Sequence, residues 1–166
     1  MPRYLYLLRH GQSAEKQIGQ LDKDRELTTA GIKQSMRIAA YLRQEKTFLD
    51  LVISSSSART RQTTTLISDA LRIDSEIIVF DDELYEASTR TLLQTVAQLE
   101  DNHHHVLFVG HNPAISYLAE YLTKAEIGDM VPAGMAIIQF DSPSWADASQ
   151  GVGQLVQYVE PEKIIF

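Results

Sequence analysis

Short runs rich in β-branched and aromatic residues alternate along this chain with longer segments of helical period, which limits the fold more than any other feature. The runs are RYLYLL (3–8), LDLVIS (49–54), EIIVF (76–80), HVLFVG (105–110), MAIIQF (135–140) and QLVQYV (154–159). A helix is expected from LTTAGIKQ, with Thr28 or Thr29 as its cap and Ile32, Met36, Ala39 and Ala40 as its inner stripe. A second buries Leu66, Ile67, Ala70 and Leu71. A third starts near Ser88 with Leu92, Leu93, Val96 and Ala97, and a fourth carries Ile115, Leu118, Ala119 and Leu122. Strand and helix in alternation predict an α/β three-layer sandwich, with a mostly parallel central sheet flanked by helices and the last strand at an edge.

At 166 residues the chain fits one domain, 1–166, and no repeat, low-complexity tract or linker divides it. It contains no cysteine, which removes disulfides, thiolate metal sites and cysteine-nucleophile chemistry. A net charge of -7 argues against nucleic acid or an anionic membrane as partner, though a small basic site can sit within an acidic surface. No apolar stretch approaches the roughly 20 residues needed to span a bilayer. YLYLL before Arg9 is too short for a signal-peptide core, so a cytoplasmic protein is expected.

In open α/β sheets ligands bind outside the carboxyl ends of the strands, and those ends can be read directly. The first gives Arg9-His10-Gly11, the second Ser54 to Ser57 and then Arg59. The third gives Asp81, Asp82, Glu83 and Glu86, and the fourth Gly110-His111-Asn112. Two arginines, two histidines and a carboxylate cluster are thus expected at one rim. Such a set suits a phosphoryl group, because arginine forks match phosphate oxygens and stay charged. Helix N-termini after Ser57 and Asn112 would add N–H donors. A neutral imidazole can attack phosphorus, and a carboxyl group can protonate the leaving group and then activate water.

LLRHGQS, LTTAG, SSSARTRQT, LYEAS and VGHNP, in that order from residue 4 to about 122, resemble the successive motifs of the histidine phosphatase superfamily, the phosphoglycerate-mutase-like fold. The compact length, LYEAS and VGHNP resemble its SixA-type branch, named for phosphohistidine phosphatases. The resemblance implies His10 as nucleophile, Arg9 and Arg59 as phosphate ligands, and His111 as the histidine that holds the phosphate and its transition-state charge. It implies Glu86 as proton donor, and neither cofactor nor metal. Ser56 stands where many members have proline, and Asn112 where mutase members have glycine.

The implied activity is a metal-independent phosphatase acting through a phosphohistidine intermediate. Its substrate is a phosphorylated protein, such as a histidine-containing phosphotransfer domain, or alternatively a small phosphomonoester. A phosphate-binding module without turnover and a mutase are the further alternatives. Glu83, Asp81 and Asp82 compete with Glu86 for the donor role, and Ser13 and Gln12 offer loop donors. Arg61 is expected to face solvent. His103, His104 and His105 point to alternate faces of an extended segment, which favours a polar strand entrance over a metal site. No Gly-x-Ser-x-Gly elbow or Gly-x-x-x-x-Gly-Lys loop occurs, which argues against a serine hydrolase and an NTPase.

Overall fold

In the computed structural model, which describes residues 1–166, the first strand lies inside the sheet, because both of its faces are apolar. Along β1 (Arg3–Arg9), Leu5 and Leu7 turn to one core while Tyr6 and Leu8 turn to the other. This is the period of two that a strand imposes. β2 (Leu51–Ser55), β3 (Ile78–Asp81), β4 (His105–Gly110), β5 (Met135–Phe140) and β6 (Gln154–Val159) complete the order β3-β2-β4-β1-β5-β6. β4 pairs with β1 in parallel, β2 with β4 and β3 with β2 likewise. β5 is antiparallel to both β1 and β6, so it alone runs against the rest. β6 is an edge strand, as expected.

The helices α1 (Thr29–Gln44) and α2 (Ala58–Leu71) cover one face, where Ile38, Leu42 and Ile67 pack on Tyr6, Leu8, Leu107 and Val109. α3 (Thr89–Ala97) and α4 (Ala114–Thr123) cover the other with Leu92, Val96, Ile115, Leu118 and Leu122 against Leu5, Leu7 and Phe108. Three layers result. Thr28, Ser57 and Ser88 cap α1, α2 and α3 by accepting from the N–H three residues on.

Three details differ from the sequence reading. The inner stripe of α1 is Ser35, Ile38, Ala39 and Leu42, whereas Ile32 and Met36 are 40% and 56% exposed. Buried Ser35 donates its hydroxyl to the Gly31 carbonyl (2.8 Å), so it costs little to enclose, and its polarity misleads the phase by one residue. α2 likewise buries Thr60, Thr63, Thr64 and Ser68 around Ile67, leaving Leu66, Ala70 and Leu71 half-buried. The third strand starts at Ile78, after a 3-10 turn over Ser75–Ile77.

The chain leaves β1 across the start of α1 at very short range. A Cβ on Gly11 would lie 2.5 Å from the Gly31 carbonyl oxygen, and one on Gly31 would lie 2.1 Å from that of Gln12. The glycines of RHG and LTTAG therefore fit each other, and any larger residue would push the turn after His10 off the helix.

Candidate active site

The carboxyl ends of the parallel strands open on a cavity of about 280 Å³ lined by Arg9, His10, Arg59, Glu86 and His111. All five residues singled out from the sequence therefore line one hollow. Four others complete the wall: Ser13, Arg25, Tyr85 and Asn112. The turn carrying His10 is tied down on both sides. The His10 N–H donates to Gly110 of β4, the Gly11 N–H to Thr63 Oγ1 of α2, and the His10 carbonyl accepts from the Ala133 N–H.

His10 is buried, and its Nδ1 lies 2.7 Å from the Gly11 carbonyl oxygen. A carbonyl can only accept, so Nδ1 carries the proton and Nε2 the lone pair. Burial first, then the nearby His111, Arg59 and Arg9, bring the imidazole pKa down to about 3 against the opposing pull of the Gly11 carbonyl. His10 is thus a neutral imidazole at any ordinary pH.

The His111 ring stands edge-on to His10 with centroids 5.3 Å apart, and its Nε2 is 2.7 Å from Ser55 Oγ at the end of β2. Burial, then Arg59, bring its pKa down to about 4. A hydroxyl can donate to Nε2 or accept from it, so this contact fits either neutral tautomer of His111.

Arg9 donates from Nη1 to the Met130 carbonyl (2.7 Å), and burial lowers its pKa while Asp129 opposes the shift. Asn112 Nδ2 donates to the same carbonyl. Arg59 donates from Nη1 to the Asp22 carbonyl (2.9 Å) and from Nη2 to Asp22 Oδ2 (3.1 Å). Asp22 Oδ2 also accepts from the Tyr85 hydroxyl, and Oδ1 from Arg25 Nη1 (2.9 Å). Arg25 Nε and Nη2 hold Ala14 O and Ser13 Oγ, both at 2.8 Å. Asp22, in the 3-10 turn Asp22–Asp24, is held far below the usual carboxylate range, first by Tyr85, then by Arg25. Burial and then Asp22 push the Tyr85 phenol up to about 12.

Glu86 is exposed at the rim, in left-handed backbone with φ 56°. Its competitors fall outside the hollow: Asp81 accepts from the Glu83 N–H, and Asp82 pairs with Lys23 at 3.2 Å. Arg61 is exposed, as expected, with its guanidinium 4.2 Å over the Phe80 ring and its Nε donating to the Ser56 carbonyl.

Residues 5–92 match the family profile of the histidine phosphatase superfamily (branch 1). An uncharacterized protein of Mycobacterium tuberculosis is 29% identical over 164 residues, covering 93% of this chain and 99% of the relative. Two solved structures, the candidate phosphohistidine phosphatases SixA of Agrobacterium tumefaciens and Nakamurella multipartitia, superpose with TM-scores of 0.83 and 0.82 at 28% and 27% identity. They cover 97% of this chain in each case, and 99% and 97% of their own lengths.

Proposed function

Because the chain belongs to the histidine phosphatase superfamily, we propose that it is a SixA-like phosphatase that hydrolyses a phosphoryl group through a covalent phosphohistidine on His10. The observation that carries this reading is the neutral His10 imidazole, its Nδ1 committed to Gly11 and its Nε2 lone pair left for the cavity. Nε2 attacks phosphorus, the bond to the leaving group breaks, and the leaving group takes its proton from the Glu86 carboxyl or from water. Water then attacks, the P–N bond breaks back to His10, and the Glu86 carboxylate takes the water's proton. Arg9 and Arg59 hold phosphoryl oxygens, and a His111 ring N–H donates to the charge that grows on them. These guanidiniums supply the positive charge a metal would otherwise bring.

The substrate we favour is a phosphohistidine carried on a protein, with a small phosphomonoester as the alternative. The exposed rim supports a protein substrate, since Glu86 and His111 are joined by α3, a short loop and β4 with no insertion to roof the hollow. The likeness to the two SixA structures supports the same choice.

Leaving groups test substrate and donor together. An alkoxide needs a proton as its bond breaks, and such assistance is typically worth about 10² to 10⁴ in rate. The imidazole released from phosphohistidine has a conjugate-acid pKa of roughly 6.5 and depends less on a donor. Assayed with a chelator present, the wild type should cleave phosphohistidine protein faster than a panel of phosphomonoesters. Glu86→Gln should slow alkyl esters most, aryl esters less and phosphohistidine least. Equal losses on all three would remove Glu86 as donor, and a rate that chelation abolishes and metal restores would overturn the mechanism.

A further inference from the structure

Asp22 touches Arg59, Arg25 and Tyr85 together, yet the reaction steps above leave it unused. It grips Arg59 at two points, with its carbonyl on Nη1 and its carboxylate on Nη2. A guanidinium has five N–H groups, so three remain for a ligand, Nε–H among them. The same residue holds Arg25 twice, through the Oδ1 contact to Nη1 and through its carbonyl, which accepts the Arg25 N–H at 3.1 Å. Tyr85 closes the set from the turn after β3.

We infer that Asp22 is a positioning residue, which holds Arg59 with its remaining N–H groups turned to the phosphoryl group and fastens Arg25 and Tyr85 beside it. The inference rests on the reading of Arg59 as a phosphate ligand. Long side chains lose considerable rotamer freedom when they bind, and a guanidinium fixed beforehand loses less. Asp22 also offsets the repulsion among three guanidiniums around one small hollow. The opposite role, a carboxylate that competes with phosphate for Arg59, predicts an opposite sign. It would also require the bond from Arg59 to the Asp22 carbonyl to survive the carboxylate's departure.

Calorimetric titration with inorganic phosphate separates the two roles without relying on turnover. Wild type, Asp22→Ala, Arg59→Ala and the double variant form the cycle, and Arg9 and His111 keep weak binding measurable where Arg59 is absent. Asp22→Ala should weaken phosphate binding about tenfold, the order of one lost charge-assisted hydrogen bond. In the Arg59→Ala background the same change should have almost no effect. Asp22→Asn keeps an oxygen for Arg59 and Tyr85 and should lose about threefold, and it carries the test if Asp22→Ala does not fold. Tighter phosphate binding by either Asp22 variant, or an undiminished loss without Arg59, would overturn the inference. A wild type that binds phosphate but cleaves no phosphoryl substrate would end the functional reading while the cycle still reports on Asp22.

Discussion

At the carboxyl ends of β1, β2 and β4 the arginines and histidines border a cavity, whereas at the opposite ends Arg3, His104 and His105 serve packing and the backbone. Arg3 is buried and donates to the carbonyls of Ser142 and Asp101, both at 2.8 Å. The Asp50 carboxylate accepts the N–H groups of His104 and His105. The His105 ring stacks on Tyr4 with centroids 5.3 Å apart and meets Phe48 edge-on. The histidine run is the polar strand entrance that its extended conformation predicts. Residue type is nearly the same at both ends. What separates them is what the unpaired donors face: Arg3 Nε is enclosed in the packed interior, where no ligand reaches it, while the donors left over on Arg59 border a hollow and can bind.

Substituting one arginine from each end sharpens the contrast. Arg59→Ala should lower kcat/KM by about 10² to 10³, the cost of removing a preorganised donor to transition-state charge. Arg3→Ala should destabilise the fold by about 1 to 3 kcal/mol through the buried groups it strands, and leave kcat/KM per folded molecule unchanged. Kinetics and thermal melts on both variants give the comparison. Lowered turnover in folded Arg3→Ala would break it, as would an Arg59→Ala enzyme with wild-type kinetics.

A smaller effect lies in the pH dependence of stability. His10 and His111 have folded pKa values of about 3 and about 4, below the ordinary 6.5. The unfolded chain therefore binds protons that the folded chain refuses, and stability should fall as pH drops below 6.5 toward those values. Melting temperatures measured above the carboxylate range should decline with acidity in the wild type and decline less in His10→Gln. Equal slopes would show that burial does not hold His10 neutral.

The layers and the five strand-end residues were legible because they depend on local pattern: period-two strands, helical stripes and the rule that places ligands at strand ends. Asp22 and Arg25 were not, and Ser55 was read only as one of a serine run at a strand end. LDKDRE, read alone, is a solvated charged coil without periodicity. Its return to the site depends on long-range contacts, namely the Gly11–Gly31 crossing and the Leu27 N–H on Gln62 Oε1 (2.7 Å). Tyr85 lay inside LYE, but a phenol between a leucine and a glutamate gives no sign that it reaches a carboxylate 63 positions earlier. In α1 and α2 the phase was misread because serine and threonine are buried there, Ser35 and Thr63 with their hydroxyls on carbonyls one turn back, and hydropathy alone assigns such residues to the surface.

The account depends most on His10 Nε2 becoming covalently bonded to phosphorus. Acid-free quenching of the enzyme with ³²P-labelled phosphohistidine protein or aryl phosphate, followed by peptide mapping, tests that bond directly. The label should sit on His10, survive alkali, be lost in acid, and be absent from His10→Ala together with turnover. Label on another residue, or turnover near the wild-type rate in His10→Ala, would contradict the account.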